Sequence, residues 1–450
     1  MNRSTESRAV CGRNRSFAAV LALAGFASMW ITTGEAVAAP QQAKVWVVGP
    51  SGSFQDIQGA VDAAVGGDII VVDSGTYTGF VVDAKELTIV ARVDASAGEK
   101  VEIAGEVTIR NLALGDTVVL QGDAFAILGA TGTALSVLDS LGSVRLQGLT
   151  LEGACGFSGA DGAPGLLVDH SLDVAVVSSY VSGGFVCDYP GNGGTAIEVD
   201  AGNLALYGVT AEGRDGEQDL ATLGAPGSAG GSGCVVRSGF LFASQSTFQG
   251  GDGAGGADGF MDCASGGIEP GSGGDGGHGI ALEAPNALAR VMSCLRDGGV
   301  GGPVGVGSLC TATDGMPGKA DSIAAGATLV EDPLPVRSTL GPSLSSELSS
   351  VLLHFEGQPG DRFYLFLSTA TQFVDEPTFH GVTLVKTPYL YRLVMGTVPS
   401  SGMLDTGYAI GDLGAGVEGM VWHAQTYVRT ASNKRMYGGP ASLVMLDSQF

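Results

Sequence analysis

Between residues 250 and 279 the chain reads GGDGAGGADGFMDCASGGIEPGSGGDGGHG, with Asp252, Asp258, Asp262, Asp275 and His278 set among glycines. Carboxylates spaced by glycine suit calcium, a hard cation that gathers oxygens from a flexible loop. Loops that surround calcium turn by turn repeat Gly-Gly-x-Gly-x-Asp about every nine residues. Here Gly273-Gly274-Asp275-Gly276-Gly277-His278 places histidine where a second aspartate belongs, and residues 250–255 depart likewise. The stretch therefore reads as a surface loop with weak calcium binding, and the four aspartates are the residues to test. The protein requires no cofactor on this reading. Two further groups could move a proton near neutral pH: His278, and the neighbouring pair Asp169 and His170. The carboxylates near His278 sit at unrelated loop positions, and alternating Asp and His at a strand end commonly face solvent.

The ends and the composition say where such residues would work. Arg3, Arg8, Arg13 and Arg15 precede an apolar run at residues 17–31, and Ala36-Val37-Ala38 follows. That order is the signature of a secretory signal peptide over residues 1–38, and the run is too short for a membrane span. The mature chain is then secreted, extracellular or on the cell surface. The net charge of −24 for 450 residues becomes about −26 once that segment is removed. So acidic a surface repels nucleic acid and anionic membranes, and repels polyanionic sugars unless cations bridge them.

A repeat sets the frame for everything between. The pattern apolar-x-apolar-x-x-(apolar or small)-x-x-x-Gly occurs at Val144, Leu146, Leu149, Gly153; at Val174, Val176, Ser179, Gly183; and at Leu204, Leu206, Val209, Gly213. Looser copies run Leu241, Ala243, Ser246, Gly250 and Ala289, Val291, Cys294, Gly298. The glycines are 30, 30, 37 and 48 residues apart, so the strand is constant and the connection grows. A second short strand precedes each copy, as in Leu166-Leu167-Val168 and Ala196-Ile197-Glu198-Val199. Units that cannot bury an apolar face alone stack into a solenoid, and the absence of helical segments between strands favours a right-handed parallel β-helix.

Six cysteines lie beyond the leader, none in a CxxC pair, so disulfides are favoured over a zinc site. Cys155 and Cys187 fall just after equivalent glycines, and Cys263 and Cys310 fall at nearly equal offsets from theirs. Adjacent coils are close enough for a bridge. The expected pairs are Cys155 with Cys187 and Cys263 with Cys310, while Cys234 and Cys294 stay open between bond and buried thiol.

The N-terminal portion places Phe54, Ile57, Val61 and Val65 on one helical face, with Ser53 as N-cap and Gly66-Gly67 as the end. Such a helix would cover the open end of the solenoid. The segment FQDIQGAVDAAVGGDIIVVDSGTYTGFVVDAKELTIVA resembles the start of the pectin-lyase-like right-handed β-helix proteins, which share a cap helix, a "GD-apolar strand-GTY" turn and a "KELTI" strand. The resemblance implies a β-helix over residues 39–325. Several members of that group cleave or de-esterify acidic polysaccharides, yet the chain departs from their patterns. Gly277-His278-Gly279 matches one polygalacturonase-like element without the others, Thr78 is followed by Gly79 rather than a methylesterase-like glutamate, and Val168-Asp169-His170 lacks the arginine base of a pectate-lyase-like site.

After Gly318 the glycine loops stop. Residues 326–335 read as a linker, and residues 336–450 alternate as short strands such as Val351-Leu352-Leu353-His354-Phe355, suggesting an antiparallel β-sandwich. The function expected is that of a non-enzymatic β-helix protein in adhesion or carbohydrate binding, with a polysaccharide or cell-surface component as partner. The rival is a polysaccharide lyase or hydrolase of the pectin-lyase-like group whose active site is unrecognised.

Overall fold

The computed structural model describes residues 43–187, 190–219, 221–259, 267–307, 312–332, 337–341 and 344–450. Among them, 22 strands hydrogen-bond into one parallel sheet that winds as a three-faced β-helix. The first face begins with Val45–Val48, Asp68–Asp73 and Leu87–Arg92, and runs through Asp173–Val177, Gly202–Tyr207 and Gly239–Ser244 to Leu288–Met292. The second face holds Tyr180–Ser182, Thr210–Glu212, Thr247–Gln249 and Leu295–Asp297. The third holds Leu135–Leu138, Leu166–Asp169, Ile197–Asp200, Cys234–Val236, Ile280–Leu282 and Asp321–Ile323. Thr117–Leu128 and Ser143–Glu152 each bend from the first face to the second.

The repeat read from sequence is the register of the stack. Val144, Val174, Leu204, Leu241 and Ala289 pair rung upon rung, and their side chains join one continuous core. Ser179 and Ser246, at the sixth position of the pattern, turn their hydroxyls to accept the N–H groups of Leu149 and Val209 at 3.1 Å. A polar group at the corner is thus satisfied by the neighbouring coil, as burial requires. Cys234 is an inward core position of the third face and Cys294 shares the corner register of those serines; both are free thiols. Cys155 and Cys187 are joined, with Cα atoms 5.9 Å apart. Cys263 and Cys310 lie outside the described residues.

Thr328–Asp332 pairs in parallel with Leu288–Met292, so the stretch expected as a linker carries one more rung of the first face. The cap helix forms at Ile57–Ala63 and buries Ile57, Ala60 and Val61 against the first coils. Its N-cap is Asp56 rather than Ser53: the Asp56 carboxylate accepts the Gly59 N–H at 2.7 Å, which starts the helix one turn later, and the helix ends at Ala63, before the exposed Val65.

The glycine loops are not loose. Residues 250–259 run outward as an extended arm whose Gly250, Gly253, Gly256 and Gly259 N–H groups donate to the carbonyls of Asp297, Val300, Pro303 and Val306 in the next coil. Gly251, Ala254 and Ala257 donate instead to Gly231, Ser228 and Ala225 of a returning arm. A hydrogen-bond period of three is that of polyproline II helices, here bundled by their neighbours rather than solvated. Arms approach so closely that a Cβ on Gly302 would lie 1.9 Å from the Ala254 carbonyl oxygen. Glycine is required there by close approach of two backbones.

Residues 337–341 and 344–450 hold a three-stranded sheet of Arg337–Gly341, Ser350–Glu356 and Met403–Ala409, facing a five-stranded sheet of Leu344–Ser346, Arg435–Leu446, Gly419–Arg429, Arg362–Ser368 and Tyr391–Thr397. Leu353 and Phe355 from one sheet meet Phe363, Leu365, Met395 and Val428 from the other. Pairing is antiparallel except between Leu344–Ser346 and Arg435–Leu446. This β-rich region lies along the first face of the β-helix: Val382 and Leu384 pack on Ala175, Ala205, Tyr207, Phe242 and Met292, and Val444 and Leu446 pack on Val45, Ile69, Val71 and Val90. That contact explains why the first face reads as unbroken apolar runs such as Ile69-Ile70-Val71-Val72. Its strands are buried on both sides.

Candidate groove on the second face

Each outward position of the second face follows the corner residue of the repeat. The row reads Thr150, Tyr180, Thr210, Thr247, and two residues on it reads Glu152, Ser182, Glu212, Gln249. Strand geometry aims both rows away from the core. On one side this floor meets the edge of the C-terminal region at Gly439, enclosing a cavity of about 480 Å³ lined by Asp123, Thr150, Tyr180, Tyr207, Thr210 and Gln245. On the other it meets the outward glycine arms, enclosing about 620 Å³ lined by Phe185, Glu212, Arg214, Asp215, Glu217 and Asp252. The two cavities flank one strip of sheet, and Tyr180 of the first is hydrogen-bonded to Glu212 of the second.

Its polar groups are oriented by one another. The Tyr180 hydroxyl donates to Glu212 Oε2 at 2.6 Å, and burial followed by that carboxylate raises the phenol above its ordinary pKa. Arg214 lies over the Phe185 ring at 4.1 Å, donates to the Ser182 hydroxyl at 3.1 Å and stands 3.7 Å from Glu152. A phenol, a guanidinium and two carboxylates are thereby held in fixed directions along the floor. Such an array can donate to and accept from hydroxyl groups of a chain laid along the groove.

The residues singled out from sequence take other places. His170 occupies the left-handed corner from third face to first, at φ 46°, in the same row as Ala84, Asn111, Asp139 and Ala201. Its Nδ1 meets Asp169 Oδ1 at 2.6 Å on the exposed surface. His278 belongs to a returning glycine arm: its N–H donates to Ser232 Oγ, and its Nδ1 accepts the Lys319 N–H at 3.0 Å. Burial, and then the Lys319 ammonium, hold that imidazole below its ordinary pKa.

Asp252, Asp258 and Asp275 each receive a backbone N–H from the next coil, from Val300 at 2.7 Å, Val306 at 2.8 Å and Met316 at 2.7 Å. They cap the flanks of the bundle, Asp252 and Asp258 six residues apart on one arm and Asp275 on the returning one. They are not brought together, and among the described residues no group of three or more His, Cys, Asp or Glu is placed to hold a metal ion. Asp262 lies outside the described residues. Tyr180, Glu212 and Arg214 escaped the sequence reading because the repeat was aligned on its inward positions. The outward row was legible one residue further on.

No known family profile matches the chain, and no curated protein matches its sequence. Solved structures with partial likeness include the pectate lyase Pel9A, at 12% identity over 65% of this chain and 79% of that one, with a TM-score of 0.26. The catalytic domain of a GH87 alpha-1,3-glucanase in complex with tetrasaccharides aligns at 11% identity over 66% and 70%, with a TM-score of 0.18. The PmoD soluble domain from a Methylocystis species aligns at 8% identity over 25% and 90%, with a TM-score of 0.15.

Proposed function

We propose that this is an exported, non-enzymatic carbohydrate-binding β-helix protein, and that a neutral polysaccharide chain lies in the groove on the second face. The observation that carries this reading is the oriented set Tyr180, Glu212 and Arg214, the last held by the buried Ser182 hydroxyl, on a floor whose rungs recur about every 4.8 Å. Carboxylates, hydroxyls and a guanidinium recognise sugar hydroxyls in pairs, and Phe185 adds an apolar face. The net charge of −24 disfavours an acidic glycan in the absence of bridging cations. The Cys155–Cys187 bridge suits an oxidising compartment. Among the described residues no helix is long and apolar enough to cross a membrane.

A hydrolase is the second reading, favoured by Glu152 and Glu212 standing two rungs apart in one row. That is roughly 9.6 Å between backbones, near the upper limit for an acid and base flanking a water. Affinity electrophoresis in gels containing neutral or acidic polysaccharides, run beside an assay for released reducing ends, separates the two. Retardation by a neutral glycan, lost in Tyr180→Ala and Arg214→Ala without chain cleavage, is the expected result. Turnover abolished by Glu212→Gln would overturn the non-enzymatic reading, and absence of retardation by every glycan would remove the groove as a sugar site.

A further inference from the structure

We propose a second binding site, in the C-terminal sandwich, for an unbranched alkyl chain bearing a neutral or cationic head group. A cavity of about 200 Å³ opens between the two sheets, walled by Leu353, Leu365, Leu393, Tyr408, Trp422 and Met445. It divides the sandwich core into two packed clusters, Leu353, Phe355, Phe363 and Leu365 with their neighbours on one side, and Val351, Ile410 and Met445 on the other. Protein interiors are packed nearly as densely as organic crystals, so an apolar void between two such clusters is a place for a ligand to restore lost contacts. Apolar cavities of this order stay dry and admit hydrocarbons.

Size and shape select the occupant. Facing sheets stand about 10 Å apart, so the slot is one hydrocarbon layer thick. The volume is roughly that of seven methylene groups at interior density. One wall is rigid: Trp422 stacks on Tyr391 with ring centres 5.3 Å apart, and its indole N–H points at Met420 Sδ at 2.7 Å. The rim selects the head group. It is formed by Ala409, Ile410, Gly411, Asp412 and Leu413, with Asp412 exposed and the Leu413 N–H held by Glu347 Oε2 at 3.0 Å. The Asp412 carboxylate borders the mouth, Glu347 stands behind the Leu413 amide, and no lysine or arginine lines the cavity, so a free fatty-acid carboxylate is repelled while an alcohol or amine is accepted.

The test titrates 1-octanol, octylamine and octanoate against the full chain, read by calorimetry and by tryptophan emission, with Trp422→Phe identifying the Trp422 signal. Saturable one-site binding of octanol and octylamine is expected, with octanoate weaker by about fivefold or more, the discrimination of one nearby charge in water. Ala424→Met, which puts three more heavy atoms into a cavity sized for about seven methylene groups, should weaken binding of all three by about tenfold or more. Asp412→Lys leaves the walls intact and should bring octanoate up to or past octylamine. No saturable binding of octanol or octylamine, or unchanged binding in Ala424→Met, would overturn the site. If Ala424→Met does not fold, an unaltered order of affinities in Asp412→Lys overturns the proposal.

Discussion

At the residue scale, two glycines in neighbouring arms carry opposite expectations. Gly302 has a carbonyl oxygen 1.9 Å from where its Cβ would be, whereas the nearest atom to a Cβ on Gly255 is 3.5 Å away, an ordinary contact. Gly302→Ala should therefore force the arms apart and lower the melting temperature markedly, while Gly255→Ala stays within about 0.5 kcal/mol of the parent. Thermal denaturation of the two variants side by side checks the bundle without knowledge of any ligand. His423 makes a second expectation. It lies on the strand Gly419–Arg429 of the C-terminal region, buried near Arg145 of the β-helix; it shares a hydrogen bond with Ser442 Oγ at 3.0 Å, and burial followed by the Arg145 guanidinium pushes its pKa down to about 3. The unfolded chain takes up a proton at this histidine below about pH 6.5 while the native chain does not. Stability contributed by the neutral imidazole is thus complete above that pH and falls as pH drops towards 3, by up to about 1.4 kcal/mol per unit. Denaturant midpoints between pH 7 and 4 should fall less steeply in His423→Gln than in the parent.

At the scale of the element, the glycine arms and the disulfide act together. Cys155–Cys187 ties the first two arms across a sequence separation of 32 residues. Longer arms lack a described bridge and rely on the ladder of N–H groups at every third residue. Cys155→Ser with Cys187→Ser should cost about 3 kcal/mol through the freed unfolded chain, and amide exchange should quicken first around residues 153–165 and 183–196. Uniform exchange along all arms would contradict this local role. The strands themselves were legible because period-two alternation is a local signal. The arms read as loop because a polyproline II helix has no apolar period of its own, and only glycine at close-approach positions marks it.

At the scale of the whole molecule, the C-terminal region and the β-helix share a core. Arg145 on the first face is almost fully buried, pairs with Asp173 at 2.5 Å, and donates to the carbonyls of Gln372 and Leu384 at 3.3 Å. Arg290 pairs with Asp375 at 2.9 Å, and Asp332 meets His380. Removing one partner of a buried pair strands the other charge, so Arg145→Met should lower stability by about 3–5 kcal/mol. Leu384→Asp should undock the region and split a single thermal transition into two, as seen by calorimetry. One unchanged transition in that variant would show that the seam contributes little to cooperativity.

The sequence by itself determined the stacked register, the cap helix within one turn, the Cys155–Cys187 pair and the change of pattern after Gly318, because each is set by alternation, capping chemistry or equal offsets within a repeat. Only the tertiary structure decided that Asp252, Asp258 and Asp275 cap amides of the next coil, that the first face is covered by the C-terminal region, and that Tyr180, Glu212 and Arg214 lie together on the second face. Those facts depend on which surfaces meet across 30 to 300 residues of chain, on the order of the separations between Tyr180 and Glu212 and between Gln147 and Ser442. A repeat specifies what its next copy does. It does not specify what folds back upon it.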